Sequence, residues 1–264
     1  MTDPTTDTID VNGSPCRVWR KGSGAPLFYL PGFGGLPKWT PFLDRLAETR
    51  TVVAPSLPGY PGGLGHDRLD TLLDWIVATR DLLAGAGMGE EGADLVASSV
   101  TGALALEVAA LWPGMVRRLV LTAPFGLYDD AEPTADIWAQ KPQEVASGLC
   151  ADPERWTWMK APPEGANSVE WPIEQTRATE AAARYLWPLG RTGVERRLHL
   201  VRCPTLLLWG AEDRIIPFGY AERFKAAIAG PVTIRRIDGA GHLAELDRPD
   251  AVAGAVADFL AMPA

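Results

Sequence analysis

Residues 92–113 read GADLVASSVTGALALEVAALWP. The first part, DLVAS, is a short apolar run behind a glycine, the pattern of a strand buried on both faces. The second part, VTGALALEVAALW, is rich in helix formers and stops at Pro113, the pattern of a helix. No loop residues separate them. A strand that runs straight into a helix lifts one side chain above the carboxyl edge of the sheet, beside the free N–H groups of the helix start, where a developing anion is favoured. Ser99 occupies that point. Strand and helix approach closely at such a turn, so the flanking residues must be small. They are Ala97, Thr101 and Gly102, a loose version of G-x-S-x-G. Ala97 stands for the first glycine, Thr101 for the second, and Gly102 follows one position later. Ser98 and Thr101 are rival hydroxyls, and a serine at an ordinary strand–helix junction is the plainer alternative.

The same alternation extends to either side. Strands are expected over 8–11, 14–20, 26–31 and 50–55, with helices over 38–49 and 69–86. The Pro- and Gly-dense stretch SLPGYPGGLGHDR between the last strand and the second helix reads as loop. Beyond the opening stretch, 117–124 is a strand. From 204 the rhythm resumes with PTLLLWG, a helix over 218–229, the strand PVTIRRI and a closing helix over 248–261. Strands alternating with helices predict a mostly parallel sheet with helices on both faces. Residues 126–196 interrupt this rhythm with short helices and no clear strand. An insertion there falls at the carboxyl ends of the strands, where open α/β sheets bind ligands, and is read as a helical lid. The expected organisation is a core of 1–125 and 197–264 with a lid of 126–196.

Composition is that of one globular unit: 264 residues, 47% apolar and 22% charged. The net charge of −8 disfavours nucleic acid and anionic membrane surfaces as partners. Three cysteines, Cys16, Cys150 and Cys203, without metal-ligand spacing suggest a reducing compartment, and Cys203 reads as a buried core residue. The polar amino terminus lacks the basic-then-apolar pattern of a secretory signal, and no apolar run is long enough to span a membrane. The expectation is a cytoplasmic protein, monomer or homodimer, acting on a small molecule.

A serine hydroxyl needs a base to become a nucleophile. The chain has three histidines. His66 lies in the Pro/Gly loop and His199 among arginines, and both read as surface or packing residues. His242 lies in IDGAGHLAELDRP, just beyond the strand PVTIRRI, where a base can reach the nucleophile turn. The base in turn needs a carboxylate to fix its tautomer. Asp213, in LLLWGAEDRIIP, follows another strand; Glu212, Asp129 and Asp130 are the rivals. Acyl transfer also needs two N–H donors for the oxyanion. Val100 N–H, directly after Ser99, is one candidate. Phe33 N–H, in the loop LPGFGG, is the other, with Gly32, Gly34 and Gly35 allowing close backbone approach.

Taken together, LPGFGG, LVASSVTGALALEVAALWP, LLLWGAEDRIIP and GAGHLAELDRPDAV resemble the oxyanion loop, nucleophile elbow, acid loop and histidine loop of the α/β-hydrolase superfamily, over nearly the whole chain. The resemblance implies an α/β fold with a mostly parallel eight-stranded sheet flanked by helices and a helical lid after strand six. It implies Ser99, Asp213 and His242 as catalytic residues, with no metal or organic cofactor. Haloalkane dehalogenases and epoxide hydrolases carry Asp where this chain has Ser99, which disfavours both. Carbon–carbon hydrolases of aromatic ring-cleavage products usually carry Asn before the nucleophile and Trp after the histidine; here those positions are Ser98 and Leu243.

Five of the ten tryptophans, Trp138, Trp156, Trp158, Trp171 and Trp187, fall in 126–196. Large aromatics either line a pocket or fasten a small helical segment to its core. Trp138, Trp158, Trp187 and Leu243 are the candidate pocket residues. Arg184 and Arg191 read as surface salt bridges, with a substrate carboxylate as the alternative. The expected activity is hydrolysis of an ester or lactone of a small apolar or aromatic substrate through an acyl-enzyme on Ser99. The alternatives are carbon–carbon bond hydrolysis, a cofactor-independent oxygenase or perhydrolase, and a small-molecule receptor of low turnover.

Overall fold

A computed structural model describes residues 3–262 of the chain. It opens with β1 (Thr5–Val11) and β2 (Ser14–Lys21), joined through Asn12 and Gly13, both at positive φ. Two consecutive residues with positive φ make the tight hairpin turn whose twist matches its strands. β1 begins three residues earlier than its hydrophobicity suggested. It is an edge strand of exposed Thr and Asp, so backbone pairing with β2, not burial, defines its start.

β3 (Pro26–Leu30), α1 (Pro41–Ala47) and β4 (Thr51–Pro55) follow, then α2 (Leu72–Gly85). Both helices are shorter at their starts than the apolar spacing predicted, because capping residues decide the boundary. Thr40 caps α1 ahead of Pro41, and Thr71 forms a reciprocal capping box with Asp74, leaving Leu69 outside α2. β5 (Ala93–Ser98) is buried at every position and leads into α3 (Val100–Leu111), buried on nearly all sides. β6 (Val116–Thr122) ends before the expected Pro124, since Ala123 turns to φ 40°.

Between β6 and β7 lie α4 (Pro142–Leu149), α5 (Pro153–Lys160) and α6 (Glu170–Leu186), with no strand among the described residues. Then come β7 (Thr205–Gly210), α7 (Gly219–Ala227) and β8 (Val232–Ile237). A short α8 (Ala244–Asp247), not anticipated from the sequence, precedes α9 (Pro249–Ala261). The strands form one eight-stranded sheet in the order β1-β2-β4-β3-β5-β6-β7-β8. β2 is antiparallel to β1 and β4, and all other pairs are parallel. β5 is therefore central, and its carboxyl end, Ser98–Ser99, faces the loops after β3, β6, β7 and β8. Cys16 and Cys150 are buried, whereas Cys203 is half-buried at the foot of β7 rather than fully enclosed. No helix among the described residues is long and apolar enough to cross a membrane.

Candidate active site

Ser99 sits at φ 54°, ψ −120°, between β5 and α3. A non-glycine residue there stores strain of about 1–3 kcal/mol, held only where surroundings dictate it. Here Ser99 N–H donates to Thr122 O at 2.8 Å, and Ser99 O accepts from Gly102 N–H and Phe125 N–H at 3.0 and 3.1 Å. The end of β6 thus clamps the turn from one side. A Cβ on Gly102 would come within 2.6 Å of the Pro124 side chain, so α3 packs closely on the segment after β6 at this glycine. Thr101, where the usual pattern has glycine, is accommodated by two hydrogen bonds: its hydroxyl reaches Leu30 O and Ser98 O, each at 3.0 Å. Those bonds tie α3 to the end of β3 and occupy that hydroxyl. Ser98 points elsewhere and donates to Glu245 at 2.5 Å. Of the three hydroxyls, Ser99 is the one that meets a histidine.

Ser99 Oγ lies 2.7 Å from His242 Nε2, and His242 Nδ1 lies 3.0 Å from Asp213 Oδ2. Ser99 and His242 are both 0% exposed. Asp213 Oδ1 accepts the N–H groups of Ile215 and Ile216 at 2.8 and 3.0 Å, which fixes the carboxylate with its other oxygen toward the ring. The rivals are not in this chain of bonds. Glu212 and Asp130 are exposed, and Asp129 pairs with Arg223. His66 faces Glu180, and His199 is exposed.

Phe33 lies in the loop after β3 and Val100 opens α3, and among the described residues neither N–H donates to a protein acceptor. Gly32 shows how close the β3 loop comes: a Cβ there would lie 3.1 Å from Ser99 Cβ and 2.9 Å from Leu243 Cδ2. Leu243 is buried against this loop, with its N–H on Leu149 O.

A cavity of about 510 Å³ opens beside Phe33 and is lined among others by Ile137, Trp138, Trp156, Lys160 and Gln175. The volume is in the range of small-molecule sites. Phe33 closes its inner end, stacked on Trp156 at 6.0 Å and edge-on to Trp138 at 5.6 Å. Phe125 meets both Trp138 and the His242 ring. Of the tryptophans read as pocket residues, Trp138 lines the cavity. Trp158 and Trp187 do not; they are 43% and 54% exposed, Trp158 beside Lys38 and Trp187 bonded to Asp136. Trp158 lies on the outer face of α5, and Trp187 caps the carboxyl end of α6. Trp156 was the lining residue missed, and helical spacing distinguishes it from Trp158, two positions away. A slightly larger hollow, about 580 Å³, lies between α1 and α9 at the opposite edge of the sheet, lined by Arg45, Arg50 and Asp250. Its lining shares no residue with the loops that carry Ser99, Asp213 and His242.

Two buried carboxylates were also missed. Glu245 accepts from Ser98 and lies 3.4 Å from Tyr29 Oη; burial pushes its pKa up. Asp247 accepts the N–H groups of Gly241, Ala151 and Asp152. No group of three or more His, Cys, Asp or Glu among the described residues is arranged to hold a metal ion.

The model of the Alpha/beta hydrolase family matches residues 27–255, and the chain belongs to that family. It is 28% identical to the dihydrolipoyllysine-residue acetyltransferase component of the acetoin cleaving system of Cupriavidus necator; the match covers 90% of this chain but 64% of that relative, just under two thirds. It is 27% identical to the 2-hydroxymuconate semialdehyde hydrolase of a Pseudomonas species, over 91% of this chain and 88% of the relative. Its fold is similar to that of 2-hydroxy-6-oxo-6-phenylhexa-2,4-dienoate hydrolase from a Rhodococcus species, with a TM-score of 0.76 at 19% identity, over 99% of this chain and all of that one.

Proposed function

We propose that the protein is a serine hydrolase that cleaves an ester or lactone of a small substrate through an acyl-enzyme. The observation that carries this reading is the unbroken line Ser99 Oγ–His242–Asp213, at 2.7 and 3.0 Å. Ser99 Oγ attacks the carbonyl carbon while His242 Nε2 takes its proton. Asp213 holds Nδ1–H and stabilises the imidazolium without itself taking the proton. The N–H groups of Phe33 and Val100 receive the oxyanion, at the start of α3 where the helix dipole adds to them. His242 then gives its proton to the departing alcohol oxygen. Water, deprotonated by the same ring, attacks the acyl carbonyl and releases the acid and free Ser99.

Helices α4 to α6 act as the lid. Ser99 and His242 are fully enclosed, and the Phe33–Trp138–Trp156 cluster stands between them and the cavity. Substrate entry therefore requires these rings to part. The mostly apolar lining favours a hydrocarbon or aromatic acyl group.

The similarity to a 2-hydroxymuconate semialdehyde hydrolase favours, as the second reading, cleavage of a carbon–carbon bond beside a ketone. Ser98 and Leu243 count against it. The test is turnover of p-nitrophenyl esters and of a ring-cleavage dienoate by wild type and Ser99→Ala, together with fluorophosphonate labelling. Ester turnover and labelling lost in Ser99→Ala support the first reading. Turnover of the dienoate alone supports the second. Failure of wild type to label at Ser99 overturns both.

A further inference from the structure

Lys160 is the single cation among the described residues that line the cavity. Lys160, at the carboxyl end of α5, turns its ammonium group inward, bonded to Gln175 Oε1 and 5.0 Å from the Trp156 ring. A lysine at a helix end ordinarily serves the last carbonyls. Here Lys38 does that, donating to Trp158 O and Ala161 O at 2.8 and 2.7 Å. Burial alone pulls the Lys160 pKa down to about 8, with no carboxylate offsetting it. Glu180, the other charged residue lining the cavity, is engaged by Arg184 and His66. Gln175 is buried, and its Nε2 has no partner among the described residues. Because Lys160 donates to the amide oxygen, the NH₂ end must face away from it, so the amide orientation is determined. A half-buried ammonium and a buried amide NH₂, the latter without a partner among the described residues, thus converge on one cavity. An unpaired buried donor is costly unless something in the functional state accepts from it.

We propose that this pair binds a carboxylate carried by the substrate, so that the protein acts on half-esters or lactones of dicarboxylic acids. The proposal rests on the hydrolase reading for its scissile bond. The carboxylate is placed on Lys160 and Gln175, and the hydrocarbon linker lies among Phe33, Ile137, Trp138 and Trp156. The linker is short. Lys160 Nζ would lie 3.4 Å from a Cβ on Gly34, and Gly34 is the immediate neighbour of Phe33, whose N–H is the proposed oxyanion donor. Adjacent α-carbons are about 3.8 Å apart, so a chain of a few carbons bridges the two positions. Arg184 and Arg191, considered from the sequence for such a role, do not line the cavity.

The test compares mono-p-nitrophenyl adipate with p-nitrophenyl hexanoate, which match in chain length and differ in the terminal charge. Wild type is expected to favour the adipate in kcat/KM. Lys160→Met is expected to lower the adipate-to-hexanoate ratio roughly 10- to 100-fold, the scale of a hydrogen bond to a charged group. Lys160→Arg, which keeps the charge, retains most of the preference, and Gln175→Leu lowers it with the lysine in place. A ratio unchanged in Lys160→Met and Gln175→Leu, or a wild-type preference for hexanoate, overturns the proposal.

Calorimetry with adipic acid monoamide on Ser99→Ala separates binding from turnover. Binding that is lost in Ser99→Ala/Lys160→Met supports the subsite. If wild type hydrolyses neither ester yet this binding depends on Lys160, the subsite stands and the hydrolase reading falls. If both esters turn over and neither the ratio nor the binding depends on Lys160, the hydrolase reading stands and the subsite falls.

Discussion

Asp247 accepts the N–H of Gly241 at 2.7 Å, immediately before the histidine that faces Ser99. The same carboxylate takes Ala151 N–H at 2.8 Å and Asp152 N–H at 3.1 Å, at the junction of α4 and α5. One buried side chain therefore fastens the histidine loop to the helices over the cavity. A Cβ on Gly241 would lie 2.7 Å from Ala151 N, so glycine is what lets the two segments meet. Asp247→Ala leaves three N–H groups without their acceptor and is expected to cost about 2–4 kcal/mol, measured by urea unfolding. Because the loop carries His242, the Ser99 labelling rate is expected to fall as well. A stability loss with unchanged labelling would mean that the loop's other bonds, such as Leu243 N–H to Leu149 O, suffice to hold His242.

The assignment of the acid can be tested against its neighbour. Asp213→Asn is expected to reduce kcat by about 10,000-fold, because the amide favours the wrong imidazole tautomer. Glu212→Gln, in an exposed side chain one position earlier, is expected to leave kcat within about threefold, as surface substitutions generally do. Steady-state ester hydrolysis at saturating substrate reads both directly.

The turn at Ser99 makes a prediction about which small residue matters. Gly102→Ala places a methyl 2.6 Å from Pro124 and is expected to destabilise by about 1–3 kcal/mol through overpacking. Thr101→Val removes the bonds to Leu30 O and Ser98 O and is expected to cost about 1 kcal/mol. Thermal unfolding of the two variants should rank them in that order.

Glu245 provides a pH signature. Burial raises its pKa in the folded protein, with hydrogen bonds from Ser98 and Tyr29 opposing in part. A carboxyl whose folded pKa lies above its unfolded value binds more protons when folded. Its contribution to stability is fully present below the unfolded pKa and is lost as pH rises through the folded pKa. Glu245→Gln stays neutral throughout. The difference in Tm, variant minus wild type, is therefore expected to increase from pH 5 to pH 8, followed by scanning calorimetry. A difference independent of pH would show that Glu245 titrates normally.

Much of this architecture was legible in the sequence, for definite reasons. Continuous apolar runs such as DLVAS and TLLLW mark strands covered on both faces, and their alternation with helical patterns forces a mostly parallel sheet. Loops after such strands gather at one edge, which brings together residues far apart in the chain, Ser99, Asp213 and His242. Polar β1 was only partly legible, because its strand character comes from pairing with β2. The helical segment was legible as an interruption, but not its inward and outward faces. Trp156 and Trp158 have the same composition and opposite surroundings.

The sequence by itself determined the order of most strands and helices, the candidate residues Ser99, Asp213 and His242, and the loops that carry them. Tertiary structure decided which of three hydroxyls meets His242, because Ser98 is taken by Glu245 and Thr101 by the β3 carbonyl. It also decided that Lys160 and Gln175 share one cavity. The reason is physical: periodicity reports which face of an element is apolar, whereas partners for buried polar groups come from elements distant in sequence. Only the assembled fold brings those partners within hydrogen-bonding reach.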